Sequence, residues 1–317
     1  MSASISARCS TPACSAACVP DRADAASRRG AAAADQGDQT MRFSPLAFLL
    51  AFVFITPLSA QEREEIVRVP ATGGANLIAT VFRPAGDARA PLVVINHGSP
   101  ADGSQRTTMQ RPKYSALTSW FTARGYVVVL PLRRGYGESG GTWAEAYGRC
   151  ETPDYYNAGL QGAADIQSTI DHMRTLPYVA NRAIVVGQSA GGWATVALSS
   201  RNPPGVPGMI NFAGGRGGHQ KLPGGGTGNC TPEALVQAAA KYGATARVPM
   251  LWLYTQNDSF FEPSLAARMA QAYDAAGGKA NYKPLPAFGR DGHGLAGASN
   301  GTAQWAPLVE SFLAGLR

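Results

Sequence analysis

The chain has 317 residues, of which 45% are hydrophobic and 15% are charged, and its formal net charge is +7 at pH 7. This balance is ordinary for a globular protein, and the length is sufficient for one large domain with its own core. The basic residues are scattered, whereas a nucleic-acid-binding surface requires them to be clustered. The charge therefore argues against a nucleic-acid partner, and at most it favours contact with anionic surfaces or substrates.

The first 60 residues differ from the rest of the chain. Residues 1–40 carry almost no large apolar side chains, so they cannot build a core and are predicted to be disordered. Residues 41–60 contain one arginine and the apolar run Leu46–Ile55, which is followed by Pro57 and small residues, and this is the pattern of a secretory signal peptide. A buried helix is the alternative interpretation, but the run has no amphipathic period.

We therefore expect Met41 to be the true start, residues 1–40 to be translated upstream sequence, and the mature protein to be periplasmic or extracellular. The apolar run is too short to span a bilayer, which needs about 20 residues. Gln61 rather than a cysteine follows the predicted cleavage site, so neither a lipid anchor nor another stable membrane anchor is indicated.

The predicted mature chain keeps two of the five cysteines, Cys150 and Cys230. Two cysteines in an exported chain suggest one disulfide, and each of these lies in a long loop that leaves the carboxyl end of a predicted strand. The alternative is two separate buried thiols. Neither cysteine has the spacing of a zinc ligand, and HExxH does not occur, so we predict no metal and no cofactor.

The pattern of apolar residues predicts an alternating α/β domain over residues 61–317. Strands are predicted at 65–70, 76–83, 92–96, 126–130, 183–187, 208–214, 250–256 and 280–286. Helices are predicted near 113–124, 156–176, 190–201, 231–242, 263–276 and 303–316.

The two half-polar first strands predict an antiparallel hairpin at a sheet edge, and the apolar later strands predict a buried parallel sheet. Polar or glycine-rich segments follow five of these strands: NHGSP, LRRGYGESGG, GQSAGG, QNDSFF and FGRDGHG. Because ligands of parallel sheets bind at the carboxyl ends of the strands, these segments predict one functional site.

Ser189 lies in GQSAG, which fits the G-x-S-x-G motif with a predicted strand before it and a helix after it. A sharp strand-to-helix turn exposes the serine, and small residues at positions 187 and 191 avoid a collision. The alternative is a glycine-rich turn whose serine only caps the helix.

A serine nucleophile needs a base, and the base needs an acid that orients it. Among the four histidines, only His293 follows the serine on a loop at the predicted edge of the sheet. Asp258 is the first acidic residue after the strand at 250–256, and Glu262 is the alternative acid by reach. The main-chain N–H groups of Ala190 and Ser99 are the predicted oxyanion-hole donors, although HGSP could also be a plain turn.

Together, NHGS, PLRRGYGESGG, GQSAGG, YTQND and GHG resemble the α/β-hydrolase superfamily over nearly all of residues 62–317. The resemblance is to dienelactone hydrolase-like proteins and related serine esterases and peptidases, although dienelactone hydrolases proper carry a cysteine nucleophile. It implies a mostly parallel eight-stranded sheet flanked by helices. It also implies that the RRGYGESGG turn is structural, so Arg133, Arg134 and Tyr136 are assigned no chemistry.

Superfamily members often insert a cap after the sixth strand, but residues 214–249 provide only a glycine-rich loop and one helix. The cap is therefore expected to be minimal and the site fairly open, with walls formed by residues 138–156 and 215–230. The aromatic and apolar candidates for these walls are Trp143, Tyr147, Tyr155, Trp193 and Phe260.

The leading functional hypothesis is an exported serine hydrolase that cleaves a small carboxylic ester. A serine peptidase of the prolyl-oligopeptidase or aminopeptidase type is the second hypothesis, with a short peptide as substrate. A catalytically silent binding protein on the same fold is the third.

Overall fold

The computed structural model describes residues 63–221 and 225–316, which belong to one compact unit of the chain, Pro57–Arg317. The disordered segment predicted for residues 1–40 and the signal peptide predicted for residues 41–60 lie outside the described residues.

Ten strands alternate with six α-helices in this part of the chain. The strands are β1 (Arg63–Pro70), β2 (Asn76–Arg83), β3 (Ala90–Asn96), β4 (Val127–Pro131), β5 (Val179–Gln188), β6 (Gly208–Phe212), β7 (Gln220–Lys221), β8 (Thr227–Gly228), β9 (Met250–Thr255) and β10 (Ala280–Leu285). The helices are α1 (Ser115–Thr122), α2 (Tyr155–Arg174), α3 (Ala190–Ser199), α4 (Pro232–Gly243), α5 (Pro263–Ala275) and α6 (Thr302–Ala314).

Eight strands form one sheet in the order β1-β2-β4-β3-β5-β6-β9-β10. The six strands from β4 to β10 in this order are parallel, while β2 pairs antiparallel with both β1 and β4. This confirms the predicted edge hairpin and the mostly parallel sheet. The strand order reverses around β3, so the loops after β3 and β5 border the crevice where such sheets bind ligands.

Alternate residues of the central strands point to opposite faces of the sheet and into two separate cores. Leu92 and Val94 of β3 pack with helices α2 to α5, whereas Val93 and Ile95 pack with α1 and α6. Both faces of the central parallel strands are therefore covered, which explains their continuous apolar sequence.

Strand β5 differs most from its predicted bounds. It begins at Val179, four residues before the predicted start at 183, because Val179 pairs with Ala90 ahead of an irregularity in the register. The exposed Asn181 and Arg182 interrupt the apolar pattern there and hide the first part of the strand.

Between β6 and β9, the described residues form the short β7–β8 ribbon and helix α4, in agreement with a minimal cap. The ribbon was not predicted, because each of its strands has only two residues and no apolar pattern. Within the described residues, no helix combines the length and hydrophobicity needed to cross a membrane.

Candidate active site

Ser189 lies at the apex of the turn between β5 and α3. Its φ of 55° and ψ of −121° are unusual for a residue with a side chain, and such strained conformations concentrate at functional sites. Its N–H donates to the carbonyl of Phe212 at 3.0 Å, and its carbonyl accepts from the N–H groups of Trp193 at 2.9 Å and Gly215 at 3.2 Å. The surrounding main chain therefore holds the turn.

The glycines beside Ser189 are required by close main-chain approaches. A Cβ on Gly187 would overlap the carbonyl oxygen of Gly191, and a Cβ on Gly191 would overlap that of Asn96. A Cβ on Gly98 would come within 3.0 Å of the Cβ of Ser189. The loop after β3 can therefore lie directly against the serine.

His293 and Asp258 lie on the loops after β10 and β9 and are hydrogen bonded to each other. His293 Nδ1 is 3.0 Å from Asp258 Oδ1 and 3.1 Å from Oδ2, and both residues are buried. Asp258 Oδ1 also accepts from the N–H groups of Phe260 and Phe261, at 2.9 and 3.0 Å. The carboxylate is therefore fixed, and Nε2 is the ring nitrogen that has no partner among the described residues.

The Ser189 hydroxyl makes no hydrogen bond to His293 or to another residue of the described chain. Catalytic hydrogen bonds are often long in free enzymes and shorten when substrate binds. The two residues are linked through Gln188, whose Nε2 donates to the carbonyl of His293 at 3.1 Å. Tyr114 Oη donates to Gln188 Oε1 at 3.0 Å and accepts from the N–H of Gly98 at 3.3 Å.

Gln188 and Tyr114 were not singled out in the sequence. Gln188 occupies a variable position of G-x-S-x-G, and Tyr114 is distant in sequence from the other site residues. A φ of 40° at Tyr114 is the structural sign of its special position, but no sequence pattern indicates it.

Both predicted oxyanion-hole donors border the same cleft as Ser189. Ala190 is the first residue of α3, and Ser99 follows Gly98 in the loop after β3. Within the described chain, no hydrogen bond uses the N–H of either residue. Both groups remain free to donate to a bound molecule.

The cleft has a volume of about 400 Å³. Its walls come from the loops after β3, β4, β6 and β9, and they include Trp143, Tyr147 and Phe260, as expected from the sequence. Tyr155 and Trp193 do not line it. They are buried in the core, where Trp193 Nε1 donates to the carbonyl of Tyr155 at 2.8 Å.

Three charged side chains are buried at this wall: Arg216, which borders the cleft, and Arg133 and Glu145, which lie behind it. Arg133 Nε donates to Glu145 Oε1, and Arg216 Nη1 donates to Glu145 Oε2 at 3.1 Å. Burial alone would raise the pKa of Glu145, but the two guanidinium groups lower it below the usual value. Glu145 is therefore ionised and shared between two arginines.

His97 and Tyr136 connect these charges to the cleft. Burial and the charge of Arg133 lower the pKa of His97 to about 3, so its ring is neutral, and its Nε2 accepts from the N–H of Arg133 at 3.2 Å. The Tyr136 hydroxyl bonds to the Ser99 hydroxyl and donates to Glu145 Oε2 at 3.2 Å. Arg133 and Tyr136 thus support the wall rather than border the cleft.

Arg134 likewise makes an ion pair within the protein: its Nε donates to Oδ1 of Asp165, on α2, at 2.6 Å. Glu262, the alternative acid, is exposed and accepts from the hydroxyl of Ser264 at 3.1 Å.

Asp291 links the loop that carries Asp258 to the loop that carries His293. Its Oδ1 accepts from the N–H groups of His293 at 3.0 Å and Ser259 at 3.1 Å. Its Oδ2 accepts from the hydroxyl of Ser259 at 2.5 Å. Asp291 therefore contacts the main chain of His293, whereas Asp258 contacts its ring.

A second histidine, His219, stacks on the ring of Phe260, which also stacks on the ring of His293. The ring of Phe260 lies 4.0 Å from the His293 ring and 3.9 Å from the His219 ring, measured between centroids, with interplanar angles of 20° and 6°. Because the hydroxyl hydrogen of Ser259 is donated to Asp291, His219 Nε2 donates to Ser259 Oγ at 2.8 Å. The loop after β6 thus packs against the residues beside His293.

Cys150 and Cys230 are joined in a disulfide, with their Cα atoms 5.0 Å apart. The bridge links the loop before α2 to the loop before α4, across 80 residues of sequence. It therefore ties together the two segments that form the walls of the cleft. In the described part of the chain, no group of three or more His, Cys, Asp or Glu residues is arranged to hold a metal.

Comparisons with known proteins concern the family and the fold of the chain. The family model for X-Pro dipeptidyl-peptidase (S15 family) matches residues 73–277, which is more than half of the chain. Among curated protein sequences, none matches the chain.

Solved structures with the same fold include two hydrolases of similar length. A Pyrococcus furiosus esterase has a TM-score of 0.56 at 13% identity, with 82% of this chain and 95% of the esterase covered. A Klebsiella pneumoniae protein assigned as a dienelactone hydrolase has a TM-score of 0.52 at 16% identity, with 79% and 98% covered.

The acylaminoacyl peptidase of Pyrococcus horikoshii has a TM-score of 0.54 at 15% identity, and the match covers 79% of this chain but only 41% of that enzyme. At these identities the likeness concerns the fold alone. It confirms the α/β-hydrolase fold that the sequence motifs predicted.

Proposed function

The chain belongs to the S15 family of X-Pro dipeptidyl-peptidases, and we propose that it is an exported serine hydrolase that cleaves a small carboxylic ester. The nucleophile is Ser189, the base is His293, and Asp258 orients the base. The observation that carries the proposal is the buried Asp258–His293 hydrogen bond, at the same edge of the sheet as a serine in a strained strand-to-helix turn.

The reaction follows from these positions. Ser189 Oγ attacks the ester carbonyl while its proton passes to His293 Nε2, and Asp258 stabilises the imidazolium through Nδ1–H. The imidazolium then protonates the leaving alcohol, and an acyl-enzyme remains on Ser189. Water, deprotonated by His293, attacks the acyl group and releases the acid and the free serine.

The negative charge on the carbonyl oxygen is accommodated by the N–H groups of Ala190 and Ser99 in this proposal. Neither N–H group has a partner among the described residues, and the N-terminal end of α3 adds the positive end of its dipole. A single donor of this kind typically contributes a factor of about 10² to 10³ in kcat.

A serine peptidase is the second candidate, supported by the family model and by the fold that the chain shares with an acylaminoacyl peptidase. A dipeptidyl-peptidase must hold the free amino group of its substrate, for which a carboxylate is the natural partner. None of the described residues that line the cleft is Asp or Glu, and the nearby Glu145 is already paired with two arginines. This favours an ester over an unblocked peptide.

A silent binding protein is the least supported candidate, because a protein without turnover has no need of a strained serine beside a paired histidine and aspartate. Export is supported by the Cys150–Cys230 disulfide, since such bonds persist in oxidising compartments.

The proposal is tested by labelling with a fluorophosphonate probe and by turnover of two substrate panels. We expect the probe to label the wild-type protein but not Ser189→Ala, which would reject the silent protein. We expect 4-nitrophenyl esters of rising acyl length to be cleaved faster than aminoacyl and X-Pro 4-nitroanilides. Faster cleavage of the X-Pro anilides would instead establish the peptidase.

A further inference from the structure

Arg216 lies on the wall of the cleft directly beside the nucleophile. The N–H of the preceding residue, Gly215, bonds to the carbonyl of Ser189 at 3.2 Å, and Arg216 Nη1 donates to Ser99 Oγ at 3.2 Å. The side chain is 4% exposed yet borders the cleft. It therefore places a buried cation beside Ser99, in the cleft that Ser189 also lines.

The guanidinium of Arg216 has donors to spare. Of its five N–H groups, two on Nη1 bond to Ser99 and Glu145, and one on Nη2 bonds to the carbonyl of Glu145 at 2.6 Å. Its Nε is buried and has no acceptor among the described residues. A buried donor without an acceptor is costly, so an acceptor brought by a ligand would be favoured.

The charges around Arg216 do not cancel. Arg133 and Arg216 share the single carboxylate of Glu145, and all three side chains are at least 95% buried. The neighbouring His97 is neutral, and Asp165 is occupied by Arg134. One positive charge therefore remains in a region that water screens poorly.

A second arginine, Arg106, also lines the cleft. The guanidinium of Arg106 lies 3.9 Å from the centroid of the Trp143 ring, and that of Arg216 lies 5.4 Å from it. The described residues that line the cleft include these two arginines and neither an aspartate nor a glutamate. The electrostatic field in the cleft thus favours negative groups over neutral and positive ones.

We propose that Arg216 forms an anion-accepting subsite of the cleft, and that the substrate carries a carboxylate a few atoms from its scissile carbonyl. This inference rests on the proposed function, since it names the substrate class of the same site. A guanidinium suits this task because its planar N–H groups match the geometry of a carboxylate. Arg106, which is partly exposed, adds attraction at the mouth of the cleft.

A purely structural role for Arg216 would be to neutralise Glu145. Arg133 already does so with a direct ion pair, and removing Arg216 would leave a neutral buried pair in place. Arg216→Gln should therefore fold, which thermal unfolding can verify.

The test uses three esters that differ only in the charge at the end of the acyl chain. They are the anionic 4-nitrophenyl half-ester of glutarate, its neutral methyl ester, and the cationic 4-nitrophenyl 4-trimethylammoniobutyrate. For the wild-type protein at pH 7.5, we expect kcat/KM of the anionic ester to exceed that of the neutral ester by at least tenfold. The cationic ester should be the slowest.

Arg216→Gln should reduce the ratio of anionic to neutral kcat/KM to near one, mainly through KM of the anionic ester, and Arg216→Lys should retain part of the ratio. The matched control is Arg149→Gln, because Arg149 is an exposed arginine of the other wall segment, residues 138–156, that does not border the cleft. This control should leave the ratio unchanged.

The outcomes separate the subsite from the proposed function. Two results would overturn the subsite but leave the hydrolase proposal intact. One is hydrolysis of all three esters at equal rates or with preference for the cationic ester. The other is a ratio of anionic to neutral kcat/KM that Arg216→Gln does not change. If no ester is cleaved and the fluorophosphonate does not label Ser189, the hydrolase proposal fails, and glutarate binding then decides the subsite. A rise in melting temperature with glutarate that Arg216→Gln abolishes would support it, and no rise would overturn it.

Discussion

The floor and the walls of the cleft are held in place by different kinds of interaction. The floor consists of Ser189 and the ends of β3 and β5, and it is held by main-chain hydrogen bonds and by glycines at close approaches. The described part of the walls consists of residues 138–156, 215–221 and 225–230, and it is held by buried charges, side-chain hydrogen bonds and a disulfide.

This difference separates two tasks. A nucleophile must be positioned to within a fraction of an ångström, and a strained turn inside a packed sheet achieves this with few residues. The walls have to present charge and shape to a substrate, and long loops need cross-links because they have little apolar core of their own. Changes to the floor should therefore affect chemistry, and changes to the walls should affect stability and selectivity.

The largest expected effect is on the floor. Ser189→Ala should lower kcat by a factor on the order of 10⁶, as removal of the nucleophile does in related triads, while the melting temperature changes little. Ester turnover and thermal unfolding are the measurements, and Ser264→Ala, an exposed serine on α5, is the control. Retention of more than a tenth of the activity would sink the assignment.

The next effect is on the walls. The double substitution Cys150→Ala/Cys230→Ala should lower the free energy of unfolding by about 4 kcal/mol, because the bridge closes a loop of 80 residues in the unfolded chain. Turnover of a small ester should keep its kcat, while KM for bulky esters rises. Urea unfolding and steady-state kinetics measure the two effects.

Two free thiols in the denatured wild-type protein, titrated without reductant, would contradict the bridge. A large loss of kcat in the double variant would show instead that the walls also position the floor.

The same division explains what could be predicted from sequence. Ser189, its flanking glycines and the strand–turn–helix around it are contiguous, so their spacing alone indicates the turn. Asp258 follows the apolar strand β9, and His293 follows β10, the last strand of the sheet. The sheet, its edge hairpin and the helices follow from hydrophobic periodicity for the same reason.

The walls could be predicted only in part. Arg133, Glu145 and Arg216 are as far apart as 83 positions in sequence (216 − 133), and nothing in their local patterns distinguishes a buried ion pair from a solvated one. Gln188, at the end of β5, and Tyr114, at the start of α1, are 74 positions apart in sequence and meet only in the folded chain. The disulfide could be predicted from the sequence because the predicted mature chain keeps just two cysteines.

His97 lies between the floor and the buried charges of the wall, and the pH dependence of stability tests this position. Its pKa is lowered to about 3 in the folded protein, whereas an unfolded histidine titrates near 6.5. Because protons therefore bind more tightly to the unfolded chain, the free energy of unfolding is highest above pH 6.5 and decreases as the pH falls below that value. Through this residue, acidification from pH 7 to pH 5 should lower the free energy of unfolding by about 2 kcal/mol.

The measurement is urea unfolding of wild-type and His97→Gln proteins at pH 5, 6 and 7. The variant should lose less stability on acidification, and His172→Gln, on the surface of α2, should behave like the wild-type protein. Equal pH dependence in all three proteins would mean that His97 is not held neutral between the floor and the wall.

The smallest expected effect is at His219, where the wall touches the residues beside the proposed base. Its ring covers the face of Phe260 opposite His293, and its Nε2 donates to Ser259. Aromatic stacking is worth about 0.5–1.5 kcal/mol, so His219→Ala should lower kcat by roughly threefold to tenfold through a less restrained His293, with little change in KM. His219→Phe keeps the stack but not the hydrogen bond and should recover most of kcat. If both variants lose activity equally, the hydrogen bond to Ser259 rather than the stack transmits the effect, and if neither does, the wall influences selectivity alone.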